Sequence, residues 1–134
     1  MKTSIARLLT CLVGTAVSPS VAADPLDTAL DAYVEGLRKG DLNILQGLFL
    51  GEGQFCMNRQ EGIRCSSFAA VLPSWIEKPD AQAAGRVRSR EVIGSMARVT
   101  YQLDFNGTSY LDHLLLYESA GRWRVVAKTT WVEK

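Results

Sequence analysis

The sequence predicts one α+β domain in which three helices precede a mainly antiparallel sheet. Three observations favour this fold class. The spacing of apolar residues changes midway along the chain from about 3.6 residues, typical of helices, to 2 residues, typical of strands. Capping residues precede each helical segment, and tight-turn residues separate the later strands. The chain has 134 residues, 47% of them hydrophobic and 22% charged, which suits a single globular domain.

Residues 1–23 are predicted to form a secretory signal peptide. Lys2 and Arg7 make the start basic, residues 8–17 are apolar, and residues 18–23 are mostly small. The apolar run is half of the ~20 residues that a membrane-spanning helix needs. We therefore expect cleavage after Ala23, which leaves a periplasmic or secreted domain of residues 24–134 with no membrane span.

Removal of this segment changes the charge and the number of cysteines. The full chain has 15 basic and 14 acidic residues, and the signal peptide contains two of the basic ones, so the net charge moves from +1 to −1. Without a cluster of basic residues the domain lacks the positive field that nucleic acids require. We expect no nucleic-acid partner. Of the three cysteines, Cys56 and Cys65 remain.

The first helix is predicted to begin at Asp24-Pro25, where the aspartate can cap free N–H groups and the proline needs none. Arg38 and Lys39 suit the negative end of a helix, and Gly40 can end it. Apolar residues recur at three-to-four spacing and predict one buried face, made of Leu26, Ala29, Leu30, Tyr33, Val34 and Leu37.

Two shorter helices follow. Asp41 caps the second, whose inward residues are predicted to be Leu42, Leu45, Leu48 and Phe49. Ser66 and Ser67 can cap the third, whose apolar residues are Phe68, Val71, Leu72, Trp75 and Ile76. Pro73 should kink or restart this third helix, because proline removes a backbone donor from a helix interior.

Between these helices, residues 54–57 and 63–65 flank a polar stretch and predict a short hairpin in which Cys56 faces Cys65. A pair of cysteines in an exported chain usually forms a disulfide. Closing a loop of this size contributes about 2–3 kcal/mol in the chain-entropy model. The alternative is a redox pair, but redox pairs favour Cys-x-x-Cys spacing beside a helix start.

The second half of the chain predicts a meander of four strands, over residues 86–93, 96–105, 108–117 and 122–132. Asn106-Gly107 is the strongest turn signal, because a type I′ turn needs positive φ at both central residues. This two-residue turn pairs Phe105 with Thr108. It therefore places Tyr101 opposite Asp112, and both on the same face as Leu103, Tyr110, Val99 and Leu114.

The last hairpin decides where Lys128 lies. A three-residue loop of Ser119, Ala120 and Gly121 would put Lys128 opposite Asp112, and a five-residue loop would put it diagonal. In both cases Val126, Lys128 and Thr130 share the Asp112 face. A four-residue loop would reverse this placement, because each one-residue slip turns a strand's side chains to the other face.

The opposite face of the last two strands is predicted to be apolar as well, through Leu111, Leu115, Tyr117, Trp123, Val125 and Trp131. Three helices in a chain of this length cannot cover both faces of the sheet. One apolar face should therefore be an interface. We expect a homodimer through this outer sheet face.

Two stretches carry a family resemblance: residues 33–42, which include Gly40-Asp41 between the first helices, and residues 110–116 before a Gly-x-Trp-x-Val-Val-x-Lys ending at Lys128. In order and spacing they resemble the nuclear transport factor 2-like superfamily, and within it the bacterial proteins called putative lumazine-binding. The resemblance implies a conical α+β fold, a cystatin-like roll. It further implies helices in the concave side of a curved sheet, a pocket at the open end and dimerisation through the sheet.

A weaker resemblance is to the ketosteroid isomerases, which use a tyrosine and a protonated aspartic acid as oxyanion donors and a second aspartate as base. Tyr33 falls at the tyrosine position and Asp112 at the donor position. The base position falls on Met57, with Cys56 and Asn58 beside it, and none of these residues can move the proton at neutral pH. The resemblance therefore does not support isomerase chemistry.

Four polar residues, Tyr33, Tyr101, Asp112 and Lys128, are predicted to meet on the concave face. One interpretation is a ligand pocket with walls made of Phe55, Met57, Trp75 and Leu114. The other is a buried ion pair of Lys128 and Asp112 with tyrosines completing its hydrogen bonds, since buried charges need partners.

The sequence thus favours an exported domain that binds a small, largely apolar molecule in a cone-shaped pocket, and it identifies no set of catalytic residues. The alternatives are an isomerase, dehydratase or cyclase that uses Tyr33 and Asp112, and a protein-interaction module. We expect no cofactor and no metal, because His113 is the single histidine and has no ligand partner at suitable spacing.

Overall fold

The structure, a computed structural model, is α+β, with three helices packed on one side of a curved, unclosed six-stranded sheet. It describes residues 13–15 and 24–134, so the predicted signal peptide lies outside the described residues apart from residues 13–15. The elements are α1 (Pro25–Lys39), α2 (Leu42–Leu48), β1 (Phe49–Arg59), β2 (Gly62–Ser67), α3 (Phe68–Trp75), β3 (Ala84–Ile93), β4 (Met96–Phe105), β5 (Thr108–Ser119) and β6 (Arg122–Val132).

The helix ends follow the predicted capping. The Asp24 carboxylate accepts a hydrogen bond from the Leu26 N–H at 2.8 Å, and Gly40 ends α1 in the left-handed region with φ 62°. One expectation was wrong: Phe49 is buried but opens β1 rather than belonging to α2. Of the two effects expected of Pro73, a restart does not occur, because α3 runs through Pro73 as one helix and ends at Trp75.

The strand order is β2-β1-β6-β5-β4-β3, with β1 parallel to β6 and the other neighbours antiparallel. The Asn106-Gly107 turn has positive φ at both residues, 50° and 77°. The register that it sets is the predicted one, and Tyr101 pairs with Asp112. At the other edge Cys56 pairs with Cys65 and a disulfide joins them.

The last hairpin differs from both predicted loops. Ala120 and Gly121 form a two-residue turn with positive φ, and Ser119 pairs with Arg122. A loop with an even number of residues would by itself turn the Lys128 side chain to the outer face. A β-bulge at Val126, between the Leu116–Val125 and Leu115–Ala127 pairs, restores the inward direction. Lys128 is therefore diagonal to Asp112, and Thr130 lies opposite Asp112.

The bulge also overturns part of the expected outer face. Trp123 and Val125, predicted to face outwards, are 7% and 0% exposed and belong to the core, because they precede the bulge. The outer face keeps an apolar surface of partly exposed side chains. Its members include Leu115 at 49%, Tyr117 at 52% and Trp131 at 65% exposure.

Candidate functional site

The site lies on the concave face of the sheet, where side chains form rows across neighbouring strands. Moving along the strands, the rows are Phe55-Lys128-Leu114-Val99, then Met57-Thr130-Asp112-Tyr101, then Val132-Tyr110-Leu103. We call the region of Val99, Leu114, Leu116 and Val125 the packed end, because all four are at most 1% exposed. We call the region around Leu103, Tyr110 and Val132 the cavity end.

A cavity of about 360 Å³ opens at the cavity end. Five of the eight side chains predicted for the pocket line it: Tyr33, Phe55, Met57, Trp75 and Lys128. The other three, Tyr101, Asp112 and Leu114, do not reach its surface; Asp112 and Leu114 are completely buried. The predicted register therefore gave these three residues the correct face of the sheet. It did not show that they lie too deep to line the cavity.

Asp112 is fully satisfied by three neighbours. Its carboxylate accepts hydrogen bonds from the Tyr33 hydroxyl at 2.9 Å and from the Thr130 hydroxyl at 2.5 Å. The Lys128 ammonium lies 3.5 Å from the same oxygen that Tyr33 contacts. Because one partner is a cation and two are hydroxyl donors, the buried carboxylate is compensated.

Lys128 connects this network to the cavity. Its side chain is 5% exposed, and its ammonium lies 4.3 Å from the centre of the Trp75 ring and 4.6 Å from that of Phe55. Burial lowers the pKa of the Lys128 amine, and the attraction of Asp112 offsets this in part. Lys128 lines the cavity together with Tyr33 and Thr130 of the same network, and it brings the cationic group there.

Tyr33 and Tyr101 stack beside this pair, with ring centres 5.5 Å apart. Burial, followed by the charge and hydrogen bond of Asp112, raises the pKa of Tyr33 well above its usual value. Burial is also the main cause that raises the pKa of Tyr101. Tyr33 therefore stays a neutral hydrogen-bond donor to Asp112 at physiological pH.

Among the described residues, the cavity wall has no carboxylate to take the place of the missing isomerase base. Met57 lines the cavity in the same row as Asp112, and the neighbouring Cys56 is held in the disulfide. The ionisable groups in the cavity walls are Tyr33, Arg59, Tyr110 and Lys128, with no carboxylate. Likewise, residues 13–15 and 24–134 contain no group of three His, Cys, Asp or Glu side chains able to hold a metal ion.

Sequence reasoning missed part of the cavity wall: Leu37, Arg59, Val71, Ser74, Leu103, Phe105, Tyr110, Thr130 and Val132. Alternation along the strands already placed Leu103, Tyr110 and Thr130 on the concave face, and counting rows outward from Asp112 could have found them. The positions of Arg59 and Ser74 depend on how β1 pairs with β6 and on how α3 packs on the sheet. No local pattern carries that information.

A second concavity, of about 480 Å³, lies between α1, α2 and the start of β6. Its charged lining residue is Arg122, whose guanidinium already donates to the Gly47 carbonyl at 3.1 Å. It has no buried polar group aimed into it that resembles Lys128. The cavity beside Lys128 is therefore the stronger candidate site.

Comparison with known families finds one match, over residues 23–131, to the family described as putative lumazine-binding. The match covers nearly the whole described domain. Comparison with functionally curated proteins finds no match.

Solved structures with the same fold are nuclear transport factor 2-like proteins. One, of unknown function from Silicibacter pomeroyi, has a TM-score of 0.75 and 22% identity, covering 81% of this chain and 93% of its own. Another, from Shewanella baltica, has a TM-score of 0.75 and 18% identity, with 82% and 92% covered. A ketosteroid isomerase-like protein from Erwinia carotovora atroseptica has a TM-score of 0.64 and 13% identity, with 82% and 95% covered. At these identities the likeness establishes the fold, and function has to be argued from the site.

Proposed function

This chain belongs to the putative lumazine-binding family of nuclear transport factor 2-like proteins, and on that premise we propose that it binds a small, largely apolar molecule in the cavity beside Lys128. One observation carries the proposal: a cavity of about 360 Å³ with mostly apolar walls and a buried amine at one end. Small-molecule sites typically combine such a volume with few, well-placed polar groups.

The walls suggest how a ligand would lie. Trp75 and Phe55 meet at 87°, with ring centres 5.5 Å apart, and offer aromatic faces to a flat molecule. At one end the Lys128 amine can donate to a hydrogen-bond acceptor of the ligand, whereas the Thr130 hydroxyl already donates to Asp112. A flat molecule with one polar end therefore fits these walls.

The family description makes lumazine the first compound to test. Lumazine is a polar pteridine with acceptors around both rings, and the apolar walls would leave several of them without partners. We therefore expect a flat apolar ligand with one polar group to bind more tightly than lumazine. Isothermal titration calorimetry with both compounds measures the difference, and tighter binding of lumazine would contradict our assignment of ligand class.

The direct test is native mass spectrometry of the protein purified from its own host, in search of a retained small molecule. Met57→Trp, which fills the cavity, should abolish the bound mass. Val92→Ala, which shortens an exposed side chain on β3 that does not line the cavity, is the matched control and should retain it. A protein that holds no small molecule and binds none from a library of flat apolar compounds would refute the proposal.

We further propose that residues 1–23 are removed and that the mature domain is periplasmic or secreted. The Cys56–Cys65 disulfide supports this, because such bonds persist in oxidising compartments. Among the described residues, no helix has the length and apolar character to cross a membrane. Intact-mass measurement of the exported fraction should find a chain that begins at Asp24, and an uncleaved chain in the cytoplasm would contradict the proposal.

The partner that we propose is a second copy of the chain, bound through the outer sheet face. Leu115, Tyr117 and Trp131 expose about half or more of their surface there, as apolar interfaces between subunits do before assembly. Sedimentation should find a dimer that Leu115→Glu converts to a monomer. A wild-type monomer at high concentration would refute the dimer and favour the alternative of a different protein partner on the same face.

A further inference from the structure

Lys128 differs from the other lysines of the domain in being buried. Its side chain is 5% exposed, whereas that of Lys39 is 61% exposed, and Lys78 and Lys134 are exposed as well. A buried lysine is unusual unless it has a partner or a function. Lys128 has one carboxylate partner, Asp112, at 3.5 Å.

The surroundings of the amine resemble those of a nucleophile rather than of a purely structural cation. It borders an open cavity on one side and the faces of Trp75 and Phe55 on another. A purely structural pair would need no open space at the amine. Burial beside apolar walls lowers the pKa of the Lys128 amine, which favours the neutral form that can attack an electrophile.

We propose that Lys128 forms an imine with a small, flat, apolar aldehyde or ketone bound in this cavity. The inference rests on the proposed binding function and adds to it the class of ligand and a covalent step. It concerns the same cavity, whose Trp75 and Phe55 walls suit an aromatic carbonyl compound.

The step balances with the groups present. The Lys128 ammonium passes a proton to Asp112, and the free amine forms a bond to the carbonyl carbon as the π electrons move to oxygen. The oxygen takes up the two protons that the nitrogen releases, carried from Asp112 across the Thr130 hydroxyl, which bonds to Asp112 and lines the cavity. It then leaves as water while the C=N bond forms. Overall, an ammonium and a carbonyl compound give a protonated imine and one water molecule, with no oxidant or reductant consumed.

Asp112 is placed to relay these protons. One of its oxygens faces the amine at 3.5 Å and accepts from the Tyr33 hydroxyl, and the other accepts from the Thr130 hydroxyl. These two bonds fix the carboxylate, which makes Asp112 a positioning residue and proton carrier in the step. Burial also lowers the pKa of the Lys128 amine, which increases the neutral fraction at neutral pH.

The test uses 2-naphthaldehyde with sodium cyanoborohydride, which reduces an imine to a stable secondary amine. Peptide mapping of the wild-type protein then locates the naphthylmethyl group. The cavity would hold the aldehyde beside the Lys128 amine, and burial lowers the pKa of Lys128 whereas Glu35 raises that of Lys39. We therefore expect Lys128 to react at least about tenfold faster than Lys39. The same reaction in denaturant should remove this preference.

Matched variants separate the site from general lysine reactivity. Lys128→Arg keeps the cation but cannot form an imine and should lose the fast labelling, whereas Lys39→Arg should retain it. If Lys128→Arg does not fold, the peptide map of the wild-type protein still decides the question. Labelling spread over Lys39, Lys78 and Lys134 with Lys128 unmodified would overturn the proposal.

A second ligand distinguishes failure of the imine from failure of the binding function. 2-Naphthylmethanol has the same apolar ring but no carbonyl, and its binding can be followed by calorimetry. If it binds and 2-naphthaldehyde does not label Lys128, the imine is wrong and the binding function stands. If neither compound binds, both proposals are wrong for flat aromatic ligands.

Discussion

The packed end and the cavity end share one sheet face but differ in what surrounds their buried residues. Leu114 and Asp112 lie two residues apart on β5 and both are 0% exposed. Leu114 lies opposite Val99 and Lys128, whereas Asp112 is held by two hydroxyls and an ammonium. Equal burial thus serves packing for Leu114, at the packed end, and charge compensation for Asp112, in the row next to the cavity end. The candidate site lies at the cavity end, where side chains no longer fill the space between the helices and the concave face of the sheet.

The largest expected effect concerns the buried ion pair of Asp112 and Lys128. Asp112→Ala should destabilise the protein by about 3–5 kcal/mol, because it leaves the Lys128 ammonium buried without its counter-ion. Urea denaturation measures the loss. The control is the double variant Asp112→Asn, Lys128→Met, which removes both charges and should recover most of it. A cost below about 1 kcal/mol for Asp112→Ala would mean that the pair is solvated and not a buried network.

The next test addresses the packed end. Leu114→Ala should cost about 3 kcal/mol, since it removes buried methyl groups and leaves a void. Met57→Ala, at a partly buried position that already borders the cavity, should cost less but change ligand affinity, because no new void forms in the core. Denaturation and calorimetry on both variants give the comparison. Equal stability losses would show that the two ends do not differ in packing.

Much of this contrast could be predicted from the sequence. The Asn106-Gly107 turn sets the β4–β5 register, so the positions of Tyr101 and Asp112 side by side follow from the residue types at the turn. Capping residues such as Asp24 and Gly40 likewise marked the ends of the first helix. These features depend on local backbone chemistry, which a sequence carries directly.

The rest depends on tertiary geometry. The bulge at Val126 has no marker in the sequence, and without it the predicted directions of Trp123 and Val125 were wrong. Similarly, the parallel pairing of β1 with β6 brings Phe55 beside Lys128 and Met57 beside Thr130, contacts between residues far apart in the chain. Alternation predicts a face, but the depth of a residue on that face depends on such long-range pairing.

A smaller effect is expected at Gly85 on β3, the edge strand beside β4. A Cβ atom on Gly85 would overlap the Tyr101 hydroxyl and lie 2.6 Å from Val34 Cγ2. Gly85→Ala should therefore cost about 2 kcal/mol through overpacking. Gly51→Ala, whose new Cβ would meet Ala69 at an ordinary 3.6 Å, is the control and should be close to neutral in thermal unfolding. A stability loss close to zero for Gly85→Ala would mean that Tyr101 can shift to accept the new Cβ atom and that the packing near the cavity end is not rigid.

The smallest effect concerns the rim of the cavity end, where the loop that contains Asp80 is hydrogen-bonded to Asn106 in the β4–β5 turn. Its carboxylate accepts from the backbone N–H groups of Asn106 at 2.8 Å and Gln82 at 2.9 Å, and these bonds lower its pKa below the ordinary value of 3.8. A carboxyl whose pKa is lowered on folding stabilises the protein fully above its unfolded value and loses this contribution as the pH falls through the folded value.

Acidification should therefore loosen the rim before the packed end. Hydrogen exchange of the Asn106 amide should accelerate below about pH 4, after correction for the intrinsic rate, while the amides of Leu114 and Leu116 stay protected. In Asp80→Asn the side chain does not titrate. The exchange rate of the Asn106 amide, corrected for the intrinsic rate, should then no longer depend on pH in this range. Equal acceleration at Asn106 and Leu114 would mean that the two ends open as one cooperative unit, and the distinction between them would then concern chemistry alone and not stability.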